Sequence, residues 1–446
     1  MSINTVNELE TRLDSFDPRQ RTEALQLLME KVRQGQITFP DPTDHINMHC
    51  HTFFSYNCYG YSPTKFAWLA KKTALALAGI VDFDVLTGMD EFLAAAQILR
   101  LKACAGIETR IFVSEFADKV ITSPGEPGIT YHMGVGFPGT PLPQDCQPFL
   151  TNLYEIAQRR NRDLTHRVNK HLQPARLDYE KDVLPLTPAA NPTERHICLA
   201  YAKKARKIFP DDNQLARFWS EKLNVNTESL SLPDGRELLN TIRAKTMKRG
   251  GVGYVQPDVG AFPKMKETNE FFLAAGAIPT LTWLDGTSNG EKEIEKLLAV
   301  AMQKGVAAIN IIPDRNYTVS HKDEKLANLQ HLVQLAQQLD LPIVVGTEMN
   351  SPGQKFVDDF NSAELAPLLP IFLKGAHIVY AHSVLQRQCA LGYTSRWAAD
   401  NFATTAAKND FYQNIAKLLK PAKETQLSGL SESSTPREIM NLVESL

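Results

Sequence analysis

Apolar residues recur at helical spacing in the first part of the chain, over residues 6–36. Ala24, Leu25 and Leu28 fall on one face of such a helix, which is the pattern of an amphipathic segment packed on a core. We therefore predict an N-terminal helical extension over residues 1–40.

Short apolar strands and amphipathic helices then alternate. The predicted strands are the His49 segment and residues 75–83, 102–107, 131–137, 253–256, 278–284, 307–312 and 341–346, with helices at 87–99, 264–275, 291–304 and 322–339. Alternation of this kind favours a parallel sheet. Polar residues at the C-terminal strand ends indicate a barrel-like site there. We predict an α/β barrel in two parts, residues 41–140 and 250–382.

The pattern of apolar and charged residues changes between these two parts of the chain. Long charged helical runs at 149–171, 193–208 and 213–223 are separated by loops rich in proline and aspartate, without a strand pattern. This predicts a helical insertion over residues 141–249. A helical C-terminal tail is predicted over residues 383–446.

Composition narrows the class of protein. Of 446 residues 43% are hydrophobic, and Lys+Arg 48 against Asp+Glu 50 gives a net charge of -2, which offers no argument for nucleic acid or an anionic membrane as partner. The six cysteines show no Cys-x-x-Cys spacing, which favours reduced thiols. The polar N-terminus and the lack of a long apolar stretch predict a cytoplasmic protein without a membrane span.

A His-x-His pair occupies the first predicted strand. Side chains of a strand alternate between its faces, so His49 and His51 would leave the backbone on the same side and converge on one ion. By itself the pair has a second interpretation, two unrelated surface or core histidines. Asp82, Asp84 and Glu108 end the next two strands, where a barrel site would lie.

The order of several short motifs resembles that of the polymerase and histidinol phosphatase (PHP) family. These motifs are His49-Cys50-His51-Thr52, Asp82-Phe83-Asp84, Gly106-Ile107-Glu108, His132, Gln256-Pro257 and Thr347-Glu348-Met349-Asn350. The resemblance covers residues 44–140 and 250–352. It implies a distorted, TIM-like (β/α) barrel of seven strands, with the insertion and both helical extensions as additions. In the family, metal-activated hydroxide attacks a phosphate ester, so no side-chain nucleophile is needed.

Carried over by position, the resemblance implies six metal ligands. They are His49, His51, Glu108, His132, Gln256 and Glu348. Asn57, Phe83 and Asn350 replace ligands that supply one metal in three-metal members, so this site is predicted to be absent. Gln256 weakens a second site, because an amide is a poorer ligand than imidazole for zinc or iron. The expected cofactor is one or two divalent ions of manganese, zinc, iron or magnesium.

Five further residues are candidates around the metal site. Asp82 and Asp84 are predicted to cap the following helix or to orient a metal ligand from behind. Arg195 opens a predicted helix in the insertion and is a candidate phosphate contact, the alternative being an arginine that faces solvent. Arg315 and Asp285 each follow a strand and could bind a substrate anion and a substrate hydroxyl. The alternative for both is a turn residue that faces water.

Together these residues predict a metal-dependent hydrolase, a phosphomonoesterase acting on a small phosphorylated metabolite, with the insertion as part of the substrate pocket. The replaced ligands leave an alternative open, a catalytically reduced PHP-like barrel that serves as a metal-binding or scaffold module. Metal-assisted C–N hydrolysis, as in amidohydrolase barrels, shares the His-x-His opening, but the sequence offers no candidate carbamylated lysine at matched spacing. The sequence indicates no particular oligomeric state.

Overall fold

Seven strands form one mixed sheet that nearly closes into a barrel. The computed structural model describes residues 5–226, 228, 230–256, 260–317 and 322–446. The strands are β1 (Ile46–Cys50), β2 (Leu77–Phe83), β3 (Lys102–Phe112), β4 (Ile129–Val135), β5 (Ile278–Trp283), β6 (Ala308–Ile311) and β7 (Ile343–Val345). Each strand pairs with the next in chain order, and a bridge between Cys50 and Glu348 joins the two ends of the sheet. The predicted α/β barrel is confirmed.

One strand, β4, runs against both of its neighbours. The strands β1, β2 and β3 are mutually parallel, as are β5, β6 and β7, whereas β4 is antiparallel to β3 and to β5. The connection from β3 to β4 contains no α-helix, and parallel neighbours are usually joined by a helical crossover. The prediction of a parallel sheet is therefore wrong at β4.

Helices flank the barrel and form the insertion. The first half of the chain carries α1 (Val6–Arg12), α2 (Pro18–Arg33), α3 (Pro63–Lys72) and α4 (Met89–Leu99), and the insertion carries α5 (Gln147–His171), α6 (Glu194–Ile208), α7 (Asp212–Leu223) and α8 (Arg236–Ile242). The second half carries α9 (Met265–Ala274), α10 (Ile294–Gln303), α11 (Asp314–Tyr317), α12 (Lys322–Gln338), α13 (Leu369–Cys389), α14 (Arg396–Asn401), α15 (Thr405–Leu418) and α16 (Pro436–Ser445). Among the described residues none of these helices is long and apolar enough to cross a membrane.

The predicted strand at 253–256 is not formed. This segment is a turn whose Gly253 packs on α5, where Arg167 donates a hydrogen bond from Nε to the carbonyl of Gly253 at 2.7 Å. A Cβ on Gly253 would lie 2.5 Å from Val168. The segment is therefore held by the insertion, and β4 pairs directly with β5 in its place.

Three hydrophobic clusters among the described residues stabilise these layers. One lies between the first three strands and the helices that cover them, with Trp68 and Phe92 fully buried. A second joins the later strands to α10, α12 and the C-terminal helices. The third, around Trp219, belongs to the insertion alone. The insertion thus has a core of its own.

Helix α13 crosses β7 at close range. A Cβ on Gly375 would lie 1.9 Å from the carbonyl oxygen of Ile343, so glycine is required where helix and strand touch. The helix runs through the boundary that we predicted between residues 382 and 383.

Candidate functional site

Three side chains that could hold a metal ion meet where β1 and β2 end. His49 lies in β1, His51 directly follows it, and Glu108 lies in β3 beside the last residue of β2. One potential ligand atom of each lies within 4.8 Å of the other two, and all three side chains are buried. Nε2 of His51 is 3.4 Å from Oε2 of Glu108. Two imidazoles and one carboxylate are a donor set that zinc, manganese and iron accept.

A polar neighbour on the Nδ1 side orients the ring of each histidine. Nδ1 of His49 donates to Oδ1 of Asn310 at 3.1 Å, because an amide oxygen can only accept. Nδ1 of His51 lies 3.2 Å from the hydroxyl of Ser55, which itself donates to Asp82 at 2.7 Å. These contacts place the lone pairs on the two Nε2 atoms. Both Nε2 atoms are buried and have no hydrogen-bond partner among the described residues.

Charge and burial act differently on the two rings. Burial lowers the pKa of His49, which keeps its ring neutral. Burial acts in the same direction on His51, but the neighbouring Glu108 carboxylate outweighs it and raises the pKa of that ring.

Glu348 is held beside the two histidines by its backbone. Its amide donates to the carbonyl of His49 at 2.8 Å, and its carbonyl accepts from the amide of His51 at 2.9 Å. Its carboxylate accepts from Nη2 of Arg315 at 3.0 Å. Burial raises the pKa of Glu348, yet Arg315 and the two histidines outweigh it and bring that pKa to about 2. The predicted ligand Glu348 and the predicted anion contact Arg315 therefore lie together at the cluster.

The side chain of His132 lies on the face of β4 that points away from the His49, His51 and Glu108 cluster. Glu108 pairs opposite Met133, and residues opposite each other share a face, so the side chain of His132 points away from the cluster. Its Nε2 is 2.6 Å from Oδ1 of Asn269 in α9, and its ring packs near Phe272. Burial lowers its pKa to about 4. The structure does not bring His132 to the cluster, which corrects its prediction as a ligand.

Gln256 and Asp285 are also placed elsewhere. Gln256 is exposed at the end of the turn that replaces the predicted strand, and Pro257 lies outside the described residues. The carboxylate of Asp285 accepts from the amide and hydroxyl of Thr287 and lies 3.0 Å from Nζ of Lys325. Asp285 therefore closes a local turn, which corrects its prediction as a substrate contact, and an exposed Gln256 corrects its prediction as a ligand.

The predicted orienting residue Asp82 lies behind the site, whereas Asp84 borders the cavity. Asp82 accepts from the amide and hydroxyl of Thr52 at 2.7 and 2.6 Å, in addition to Ser55. Asp84 accepts from the hydroxyl of Thr109 at 2.6 Å and lines the cavity above the cluster. Burial raises the pKa of both carboxyl groups. Asp82 touches His51 through Ser55, as expected for an orienting residue.

Asn57, Phe83 and Asn350, which we predicted to replace metal ligands, brace a loop or line the cavity. The side-chain amide of Asn57 donates to the carbonyl of His51 at 2.9 Å, so Asn57 braces the loop after β1. Phe83 faces the cavity, with its ring centroid 6.1 Å from that of Tyr131. Asn350 also lines the cavity. Phe83 supplies apolar packing where the family pattern has a metal ligand.

An open cavity of about 230 Å³ extends from the cluster to the insertion. The barrel contributes one wall, which includes His51, Glu108 and Glu348. The insertion contributes the opposite wall with Arg160, Asn161, Asn191, Pro192, Thr193, Glu194, Arg195, Arg243 and Lys248. The predicted participation of the insertion in a pocket is thus seen directly.

The basic residues that line this cavity outnumber its four carboxylates, which are those of Asp84, Glu108, Glu194 and Glu348. The basic residues are Arg110, Arg160, Arg195, Arg243, Lys248 and Arg315. Glu194 forms ion pairs with two of them, at 2.9 Å from Nε of Arg243 and 2.8 Å from Nζ of Lys248. Arg195 donates from Nη1 to the amide oxygen of Asn240 at 2.6 Å, and forms no ion pair within 4 Å in the described parts of the chain. An anionic ligand suits such a lining.

Several residues of the site were missed from the sequence. Arg110 follows Glu108 by two residues on the same strand, so the strand period alone could have found it. Ser55 and Asn310 orient the histidines without any motif of their own. Arg160 and Arg243 reach the cavity from the insertion, and no signal in the sequence distinguishes them from the other arginines there.

Comparisons with known proteins bear on the fold. No family model matches the sequence, and no curated protein matches it. A protein of Bifidobacterium adolescentis ATCC 15703, described as a "putative metal-dependent phosphoesterase", has a similar structure, with a TM-score of 0.50 and 15% identity over 74% of this chain and 97% of that one. An amidohydrolase from Chromobacterium violaceum, with bound sulfate and no metal, gives a TM-score of 0.45 and 17% identity over 69% and 88% of the chains. At 15% identity, the first of these likenesses shows a shared fold.

Proposed function

We propose that this protein is a metal-dependent hydrolase that cleaves the phosphate monoester of a small metabolite. The observation that carries the proposal is the pair of buried Nε2 atoms of His49 and His51, which lie beside Glu108 without a hydrogen-bond partner in the described structure. A buried polar atom without a partner costs free energy. A divalent ion between these side chains removes that cost.

The donors that would hold the ion are His49, His51 and Glu108, with Glu348 as a fourth. We propose one ion, because His132 and Gln256 lie away from these residues. When bound, a divalent ion supplies positive charge against the phosphate and favours the ionisation of water near neutral pH.

The side chains of the cavity bind and orient the phosphate. Arg315 lies against Glu348, and Arg195 lines the same cavity from the insertion. Guanidinium groups donate paired hydrogen bonds to phosphate oxygens and stabilise the charge that develops in phosphoryl transfer. Asn310 and Ser55 hold the histidine rings so that their lone pairs stay directed at the ion.

Two likenesses support this class of reaction. The motif order of the sequence resembles that of the PHP family, whose members hydrolyse phosphate esters. The fold is shared with the Bifidobacterium protein described as a "putative metal-dependent phosphoesterase".

The first experiment measures metal content and phosphate release together. Protein purified with manganese should bind about one ion per chain and release phosphate from members of a monoester panel. The His49→Ala/His51→Ala variant should lose the ion and at least about a hundredfold in rate, because two of the donors are gone. His331→Ala is a matched control, since His331 is an exposed histidine that contacts Glu295. Equal phosphate release by the double variant and the wild type would contradict the proposal.

A reduced, non-catalytic barrel is the second candidate function. Phe83 favours it, because an apolar ring lines the cavity where the family pattern has histidine. In that case the protein binds its ion but releases no phosphate with manganese, zinc, iron or magnesium. The variant Phe83→His/Asn350→His, with both new histidines lining the cavity, would then gain an activity that the wild type lacks.

A further inference from the structure

Two arginines approach one aromatic ring at the border between barrel and insertion. Arg110 lies on β3 and Arg160 on α5, and both line the cavity. The central guanidinium carbons of Arg110 and Arg160 are 4.6 and 5.5 Å from the ring centroid of the buried Phe262. The two cations therefore pack against the same ring although they come from different parts of the fold.

Only Arg110 of this pair forms an ion pair within 4 Å in the described structure. Arg110 donates from Nη1 to Glu126 at 2.9 Å, in a buried ion pair. Arg160 has no carboxylate oxygen within 4 Å in the part of the chain that the structure describes, and its Nε is buried without a hydrogen-bond partner. Asp84 and Glu194 act on it only at longer range. Like charges repel, and a buried Nε without a hydrogen-bond partner is costly, so an anion at this place would be stabilising.

The position of Arg110 on β3 fixes the distance between the arginine pair and the cluster of His49, His51 and Glu108. Arg110 follows Glu108 by two residues on one face of β3, which corresponds to roughly 7 Å along a strand. A ligand with one anionic group at the cluster reaches Arg110 and Arg160 with a second group only if a few atoms lie between the two.

We propose that Arg110 and Arg160 form a second anion subsite, which binds a second phosphate group of the substrate. The ester phosphate at the cluster rests on the proposed function, whereas the subsite rests on the arginine pair. Guanidinium groups recognise phosphate through two parallel hydrogen bonds, and Arg160 has donors to offer. The substrate class is thus a small metabolite that carries two phosphate groups.

The test compares bisphosphates with monophosphates on metal-free protein. The probes are the alkane-α,ω-diyl bisphosphates from propane to octane and the alkyl monophosphates of equal length, titrated by calorimetry into wild-type protein dialysed against chelator. For at least one length the bisphosphate should bind about tenfold tighter or better than its monophosphate, as expected for a charge-assisted contact. Arg160→Gln should abolish this preference, and Arg160→Lys should keep part of it.

Arg159→Gln is the matched control, because Arg159 precedes Arg160 on α5 and is exposed. It should keep the full preference, and thermal melts confirm that all variants are folded. Equal binding of the two probe classes, no binding of any bisphosphate, or an unchanged preference in Arg160→Gln would each overturn the subsite. Binding without metal does not depend on hydrolysis. A protein that prefers bisphosphates through Arg160 but releases no phosphate would therefore refute the proposed function alone.

Discussion

At the scale of single residues, each histidine of the cluster depends on one polar neighbour. Asn310 accepts from His49, and Ser55 stands between His51 and Asp82. These partners decide which ring nitrogen carries the proton, and hence which one is available to a metal.

Replacing Ser55 tests this dependence. Ser55→Ala removes the hydroxyl that accepts from His51, so we expect metal affinity about tenfold weaker, at the lower end of the effect of losing such a partner. Calorimetric titration of zinc or manganese into metal-free protein measures it. Ser114→Ala removes an exposed hydroxyl that contacts Glu115 and should leave the affinity unchanged. An affinity of Ser55→Ala equal to that of the wild type would show that Ser55 does not orient the ring.

At the scale of elements, the site depends on how the barrel closes. Gly346 follows β7 directly, and a Cβ there would lie 2.3 Å from the backbone nitrogen of His49 and 2.6 Å from Oδ1 of Asn47. Only glycine allows this approach of β7 to β1. The same contact holds Glu348 and the His-x-His segment side by side.

Gly346→Ala should therefore disturb both stability and the cluster. The added methyl group would clash with backbone atoms, which cannot move away by a change of rotamer. We therefore expect a loss of about 1–3 kcal/mol in the free energy of unfolding. Urea unfolding measures this loss, and metal titration measures the accompanying decrease in affinity. Gly429→Ala is the control, because a Cβ at Gly429 would meet no atom within 4 Å. A Gly346→Ala protein as stable as the control would contradict the close approach.

At the scale of the whole molecule, buried neutral histidines couple the fold to pH. Burial lowers the pKa to about 4 in His132 and His382 and to about 3 in His196. His382 joins distant segments, since its Nε2 donates to the carbonyl of Gly276 at 3.0 Å and its Nδ1 accepts from the amide of Tyr393 at 2.8 Å. Protonation of His382 would break the second of these contacts.

The stability of the protein should consequently fall in acid. Between pH 6.5 and about 4 these histidines bind protons in the unfolded chain but stay neutral in the folded protein. The free energy of unfolding therefore decreases as the pH falls. Above pH 6.5 the contribution of these groups is fully present. A shift from 6.5 to about 4 corresponds to a loss of about 3 kcal/mol per group.

Urea unfolding at a series of pH values measures this dependence. His382→Gln should flatten it, because one titrating group is gone. His331→Gln, at the exposed surface position beside Glu295, should retain the slope of the wild type. If the slope of His382→Gln equals that of the wild type, His382 does not contribute to the acid sensitivity.

Local patterns in the sequence were sufficient for most elements and for the centre of the site. Helix starts follow from residues close in the chain, as at Ser62, whose hydroxyl accepts from the amide of Lys65 before α3. His49 and His51 share a side because the strand period is a local property. Glu108 and Glu348 were predicted as ligands because each falls in a short motif that resembles the PHP family, Gly106-Ile107-Glu108 and Thr347-Glu348-Met349-Asn350.

Tertiary structure decided which of these residues meet. His132 turns away from the cluster because the register of β3 with β4 fixes its face, and the sequence contains no information on that register that can be read locally. The segment at 253–256 has the composition of a strand, yet α5 holds it as a turn. Arg110 and Arg160 come together over Phe262 only through the packing of the insertion on the barrel. Contacts between residues far apart in the chain depend on the whole fold, whereas the alternation that placed His49 beside His51 does not.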